Sequence, residues 1–383
     1  MPHRPRFAVN ARALRGPLTG IGRYVRSLMA EVERDGRFVP EYFYATRWGD
    51  RLDPAPVAAS GPGTARLREA LRSLRPVVRR VERYNFARGL RRRDFAFYFE
   101  PAYIAFDTEL PTVVTIHDLS HLRHPETHPA DRVRELDREV PSAIARAACI
   151  LTVSEFTRRE VIDVFGTDPD RIVTTPLGVD ARFHPRTRDE TAALMAALAL
   201  THGRYFLAVG TIEPRKNVLT TVRAHARLPQ RVREAHPLVV AGVKGWRTEA
   251  IGRELAAAQA RGDVRLLGHV ADETLPLLYA GAALLAYPSL YEGFGLPPLE
   301  AMASGVPVVV SDRASLPEVV GDAGVLLDPE DVDGLAAVML RIVEDAPFAH
   351  DLAARGLARA GEFTWRRCAA LTIEAWERVT EAR

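Results

Sequence analysis

Residues 205–243 read YFLAVGTIEPRKNVLTTVRAHARLPQRVREAHPLVVAGV. An apolar run ends on a glycine, a polar turn and a stretch of helical spacing follow, and a second apolar run closes the unit. A strand can be joined to a parallel neighbour only through a long crossover, usually a helix, so this pattern is the unit of a doubly wound sheet. Downstream the alternation continues through a helix from about Thr248, then VRLLGHV, LLAYPS and VPVVVSD. Upstream it runs through RFAVN, a helix from about Gly22 to Glu33, PTVVTIHD, CILTVS with a helix after Glu155, and RIVTTPLGV. The fold class is α/β, with two Rossmann-like doubly wound sheets in tandem.

Between the two series lies PLGVDARFHPRTRDE, where a glycine and two prolines interrupt both periodicities. A linker near Val179 to Pro185 therefore divides the chain into residues 1–183 and 184–383. Ligands of open α/β sheets bind at the carboxyl ends of the strands, so two such edges facing one another predict a central cleft. The closing segment FTWRRCAALTIEAWERVTEA predicts a final helix, about residues 363–383, expected to pack back on the first domain.

A length of 383 residues suits two cores, and 47% hydrophobic with 26% charged residues places the chain among globular proteins. No run approaches the roughly 20 apolar residues of a membrane span, and MPHRPRFAVN has no signal-peptide character, so a cytoplasmic protein is expected. Cys149 and Cys368 lie far apart in apolar settings and read as buried thiols. Of the 52 basic residues only Lys216 and Lys244 are lysines. A lysine ammonium is a compact charge suited to phosphate, which makes both candidates for a site, against the plain alternative of chance survival. The segment Arg66 to Asp94 carries eleven arginines with Tyr84, Phe86 and aliphatics interleaved. It reads either as a basic amphipathic surface or as a solvated helix pair.

The chemistry is densest in YPSLYEGFGLPPLEAMASGVPVVVSD, residues 287–312, where Glu292 and Glu300 flank seven residues that begin with Gly293-Phe294-Gly295. Glycines admit a ligand close to the backbone, and amides at a helix start bind phosphate without a metal. The plain alternative is a capped surface helix with solvated glutamates. His117 follows the run PTVVTI at a strand end, where a structural hydrogen-bonding histidine is the competing reading. His121, His124 and His128 are irregularly spaced and read as loop residues. Gly20 and Gly22 fall between strand and helix, but Val25 stands where a dinucleotide fingerprint needs a third glycine.

Taken with VGTIEPRKNVLTTVRAH, PLVVAGVKGW, DVRLLGHVADETLPLLYAGA, TGIGRYVRSL, VTIHDLSHL and LTVSEFTRREV, this stretch resembles the retaining glycosyltransferases of family four, whose fold is the two-domain GT-B arrangement. The likeness is strongest from Tyr205 to Asp328, and the Gly-Thr-x-Glu-Pro-Arg-Lys-Asn wording is similar to that of O-antigen mannosyltransferases. The resemblance implies Glu292 at the transferred sugar, Glu300 at the ribose, and Arg215 and Lys216 at the diphosphate with the backbone of Gly293, Phe294, Gly295 and Leu296. It adds Gly268 and Val270 to the donor site, and puts Thr211 where some members carry an arginine. It places His117 near the reacting carbon, with Asp118 orienting it, and Gly20 and Gly22 by phosphate and acceptor. Glu292, His117 and Lys216 are then the catalytic group. No Asp-x-Asp metal motif of the kind used by the other major transferase fold is recognised, and neither a metal nor another cofactor is expected. Implied partners are a nucleotide-sugar donor, GDP-mannose favoured, and a glycan or polyprenyl-linked acceptor. An anionic inner-membrane surface would meet Arg66–Asp94, and no nucleic acid is expected. The competing functions are a nucleotide-sugar epimerase on the same fold and a non-catalytic polyanion-binding protein.

Overall fold

Parallel strands buried on both faces need continuous apolar runs, and these runs build the two sheets. The computed structural model describes residues 4–15, 19–52, 75–245 and 249–382. The first sheet comprises β1 (Arg6–Asn10), β2 (Val39–Phe43), β3 (Trp48–Gly49), β4 (Phe97–Glu100), β5 (Thr112–Ile116), β6 (Cys149–Thr152) and β7 (Ile172–Thr174), in the order β3-β2-β1-β4-β5-β6-β7. The second comprises β8 (Phe206–Val209), β9 (Leu238–Ala241), β10 (Val264–Gly268), β11 (Leu284–Tyr287), β12 (Val308–Ser311) and β13 (Val325–Leu327), in the order β10-β9-β8-β11-β12-β13. Among the described strands only β3 runs antiparallel to its neighbour. The helices used below are α1 (Gly20–Asp35), α2 (Arg75–Leu90), α3 (Ala130–Arg146), α4 (Glu155–Phe165), α5 (Val218–Ala226), α6 (Leu296–Ala303) and α7 (Trp365–Glu381).

Each sheet has one place where the strand order reverses: between β1 and β4 in the first, between β8 and β11 in the second. Connections there leave toward opposite faces and open a crevice past the strand ends. The residues ending those strands, Asn10 and Glu100 in one sheet, Val209 and Tyr287 in the other, thus mark where ligands are to be sought.

The chain crosses between the sheets twice, and the two crossings touch. The Val179 amide donates to the Phe363 carbonyl at 3.0 Å, and Val179 bridges Thr364. A Cβ on Gly178 would lie 2.1 Å from the Trp365 nitrogen, so glycine is required by the close approach. After this crossing α7 lies on the first sheet, with the fully buried Trp376 ring 4.7 Å from Phe7, 5.3 Å from Phe97 and 5.1 Å from Phe99. Truncating a large aromatic ring in such packing typically costs about 3–5 kcal/mol. Trp376→Ala should therefore lose stability on that scale in urea unfolding; a loss below about 1 kcal/mol would mean that α7 contributes little.

Several expectations are corrected. Gly20 and Gly22 belong to the first turn of α1, where the Thr19 side chain accepts the Gly22 amide at 3.3 Å, and not to a loop before it. Residues 66–74 of the arginine-rich segment lie outside the described residues. In α2, Phe86 is buried against Phe43 and Trp48 while Tyr84, Val77, Val78 and Val81 are exposed, so Phe86 belongs to the core and not to a surface. His121 sits in the single turn Ser120–Arg123, 1% exposed, and is not a loop residue. Cys149 and Cys368 are free and buried, and burial pushes their thiols up to about 11 and about 12. Among the described residues no helix is long and apolar enough to cross a membrane.

Candidate active site

At the reversal point of the second sheet the polar turn after β8 delivers Arg215 and Lys216, and the turn after β11 delivers Glu292. Lys216 closes a single 3-10 turn, Pro214–Lys216, and Asn217 then takes a left-handed φ of 51° to start α5. Glu292 is 7% exposed, and its Oε1 accepts the Lys216 ammonium at 2.6 Å, the Ser289 hydroxyl at 2.6 Å and the Tyr287 hydroxyl at 2.8 Å. Its Oε2 accepts Arg215 at 3.1 Å. Burial would raise this carboxyl, but Lys216 and then Arg215 outweigh it and hold it down to about 2. Burial lowers the Lys216 ammonium, with Glu292 pulling the other way. For Arg215 burial is likewise opposed, by Glu292, Asp118 and Glu213, and the net direction is upward. Three donors fill Oε1, while Oε2 keeps capacity for a further donor such as a sugar hydroxyl.

The turn after Glu292 is fixed from behind. Ser315 donates to the carbonyls of Glu292 at 2.9 Å and Phe294 at 2.8 Å, and Ser154 donates to that of Gly293 at 2.7 Å. Gly295 has φ 110°, a conformation that disfavours any side chain, and opens α6. Pro297 and Pro298 carry no N–H, so the amides left to an anion at this helix start are those of Phe294, Gly295 and Leu296.

The first domain contributes the opposite wall. His117 follows β5 and places its Nε2 2.8 Å from the Pro101 carbonyl. A carbonyl only accepts, so Nε2 carries the proton and Nδ1 is the free acceptor of the neutral ring. Burial lowers the ring's pKa and favours that neutral form. Asp118, expected to orient His117, instead accepts the Ser120 amide at 2.9 Å and hydroxyl at 2.7 Å, and it is the Pro101 carbonyl that positions the imidazole. The domains meet closely here: a Cβ on Gly293 would lie 1.8 Å from the His117 carbonyl oxygen. This glycine is needed for domain contact, whereas the sequence suggested ligand approach.

Glu300 is buried on α6, and its Oε1 accepts Arg23 of α1 at 3.0 Å. Burial raises this carboxyl, with Arg23 pulling it down. Arg23 also pairs with Asp272 at 2.5 Å. A ribose at Glu300 would have to use Oε2 or displace Arg23. Gly268, with φ 65°, ends β10 and its carbonyl accepts the Gly242 amide at 2.8 Å, and Val270 follows half-buried two residues before Asp272. Thr211 and Gly210 line a small void beside the Lys216 stem. Lys244 is exposed after β9, its backbone bridging Ile212.

Sequence reasoning missed Tyr287, Ser289, Ser154, Ser315 and Arg23. Tyr287 and Ser289 lie inside the glutamate motif, and their hydroxyls just ahead of a buried carboxylate were a usable signal. Arg23 offered none, because its carboxylate lies 277 residues away.

Comparison with known proteins shows the family. Residues 193–359 match the family described as glycosyl transferases group 1, and residues 18–183 match glycosyltransferase family 4. The chain is 38% identical over 370 residues to the O-antigen chain mannosyltransferase B of Escherichia coli, covering 94% of this chain and 96% of that one. It is 32% identical over 279 residues to the Escherichia coli serotype-specific mannosyltransferase WbdA, covering 71% of this chain and 34% of that longer one. Among solved structures, Anabaena Alr3699/HepE in complex with UDP and glucose superposes with a TM-score of 0.73 at 18% identity, over 98% of this chain and 100% of that one.

Proposed function

The chain belongs to the family 4 glycosyltransferases of the GT-B fold, and from that premise we propose that it is a retaining mannosyltransferase, moving mannose from GDP-mannose to a glycan or polyprenyl-linked acceptor of a surface polysaccharide. The observation that carries this reading is the Lys216–Glu292–Arg215 cluster at one strand-order reversal, set against His117 from the other domain. When the sugar leaves, negative charge grows on the nucleoside diphosphate, and two preorganised cations with the Phe294–Leu296 amides stabilise it where it appears. Oε2 of Glu292 and Nδ1 of His117 can accept sugar hydroxyls and hold the ring on the face that the nucleotide vacates. The mannosyltransferase relatives support the choice of sugar, and membership of a transferase family favours transfer over epimerisation or polyanion binding.

Initial rates with a panel of GDP-, UDP- and dTDP-sugars test the donor: GDP-mannose should be turned over fastest, and exclusive use of a UDP-sugar would overturn the choice. Because Arg215 and Lys216 supply the positive charge, transfer should continue after exhaustive chelation. Loss of activity to EDTA, restored only by Mg²⁺ or Mn²⁺, would sink metal independence.

Peripheral contact with an anionic membrane is part of the proposal. Tyr84 and three valines are exposed on α2 beside Arg80 and Arg88, with Arg91 and Arg92 just beyond. Arg93 is engaged by Glu41 at 2.5 Å and lies over Trp48, so charge reversal there would disturb the fold. Reversing Arg80, Arg91 and Arg92 should instead reduce salt-sensitive co-sedimentation with anionic vesicles. Unchanged sedimentation would remove this surface from the proposal.

A further inference from the structure

A cavity of about 250 Å³ opens at the strand-order reversal of the first sheet, past the ends of β1 and β4. Its floor is the buried pair Asn10–Glu100, joined at 2.6 Å. One wall, Pro101 to Tyr103, is shared with the candidate active site: His117 bonds the Pro101 carbonyl, and its ring lies 5.8 Å from that of Tyr103. Whatever fills the cavity therefore lies one residue layer from the histidine assigned to the reacting sugar.

Three elements remote in sequence turn arginines into this space: Arg12 after β1, Arg79 and Arg83 of α2, and Arg132 of α3. Glu82 meets Arg12 at 3.3 Å, and Glu135 is shared by Arg79 and by Arg132, the latter at 3.5 Å. Arg83 meets Glu139 at 3.6 Å. The remaining carboxyl of the lining, Glu100, is pushed up to about 8 by burial, against hydrogen bonds from Tyr98 and Asn10. The cations also crowd one another. Arg79 is lowered first by burial and then by Arg12 and Arg132, and Arg132 by burial and by Arg12. Like charges gathered in a part-buried cavity are unfavourable unless an anion completes them, and planar guanidinium forks fit phosphate oxygens in pairs. At this volume the cavity is smaller than the roughly 300–1,000 Å³ of a whole small-molecule site, so it suits one anionic group and the sugar beside it.

We propose that this cavity binds the acceptor through a phosphate or diphosphate ester next to its first sugar, with Arg12, Arg79, Arg83 and Arg132 as the ligands. The proposal rests on the transferase reading for what the acceptor is, but its test does not need turnover. Titration calorimetry on the full chain, in lipid-free buffer, compares a short oligomannoside on an alkyl diphosphate with the same glycan on a neutral alkyl chain. The diphosphate acceptor should bind about 10- to 100-fold more tightly, the range expected for charge-assisted hydrogen bonds. Arg132→Gln should remove most of that preference. Arg83→Gln, at a side chain 60% exposed and therefore safe for folding, should remove part of it. Equal binding of the two acceptors, or a preference untouched by both variants, overturns the proposal. If the variants lose only binding to anionic vesicles, the ligand is a lipid headgroup and the acceptor assignment is wrong. Competition by inorganic phosphate alone, with no preference between the acceptors, also rejects it. Failure of sugar transfer with an intact diphosphate preference would instead count against the transferase reading.

Discussion

Replacing Lys216 with alanine, or Glu292 with glutamine, should each lower turnover by about 10² to 10³, and the double variant should lose little more than either alone. The range is that for removing one preorganised stabiliser of transition-state charge. The non-additivity follows from the geometry. The ammonium lies 2.6 Å from Oε1 in a site where burial already pulls its pKa down. Neutralising Glu292 removes the charge that opposes burial at the lysine, so the glutamine variant weakens the Lys216 ammonium as well. Removing Lys216 leaves the carboxylate with Arg215, Tyr287 and Ser289 as donors, so the fold should survive. Breaking a buried pair can still cost about 3–5 kcal/mol, and melting curves must accompany the rates. Rates and a double-mutant cycle decide the matter. Near-normal turnover in either folded variant removes that residue from the site, and simple multiplication of the two losses rules out their acting as a unit.

Gly293→Ala should lower kcat/KM by about 10² without unfolding either domain. The added Cβ would lie 1.8 Å from the His117 carbonyl oxygen and 2.8 Å from Asp118 Cβ, so the turn and the end of β5 must part by more than an ångström. That displacement moves the donor loop and His117 together, and misplacement on this scale costs about two orders of magnitude in rate. Gly252→Ala is the control, since a Cβ there meets nothing within 4 Å and its helix gains from alanine. Wild-type kcat/KM in Gly293→Ala would mean that the domain contact at His117 is not maintained during turnover.

Both sheets and the glutamate motif were legible in the sequence because they are written locally. A parallel strand buried on both faces needs an apolar run such as TVVTI or LLAY, a crossover helix needs its own period, and Glu292, Gly293, Gly295 and Glu300 lie within nine residues. What only the tertiary structure decided are the partners brought in from elsewhere. Lys216 and Arg215 come to Glu292 from a different turn, Arg23 reaches Glu300 from the other domain, and Pro101 rather than Asp118 holds His117. The same holds for Phe86, which shares a charged segment with exposed Tyr84 yet packs into the core. Periodicity states which face of an element is apolar, but which groups meet there depends on how the strands are ordered and how closely the domains approach. The order β3-β2-β1-β4 gathers Arg12, Arg79 and Arg132 into one cavity, and no local pattern in the chain records that meeting.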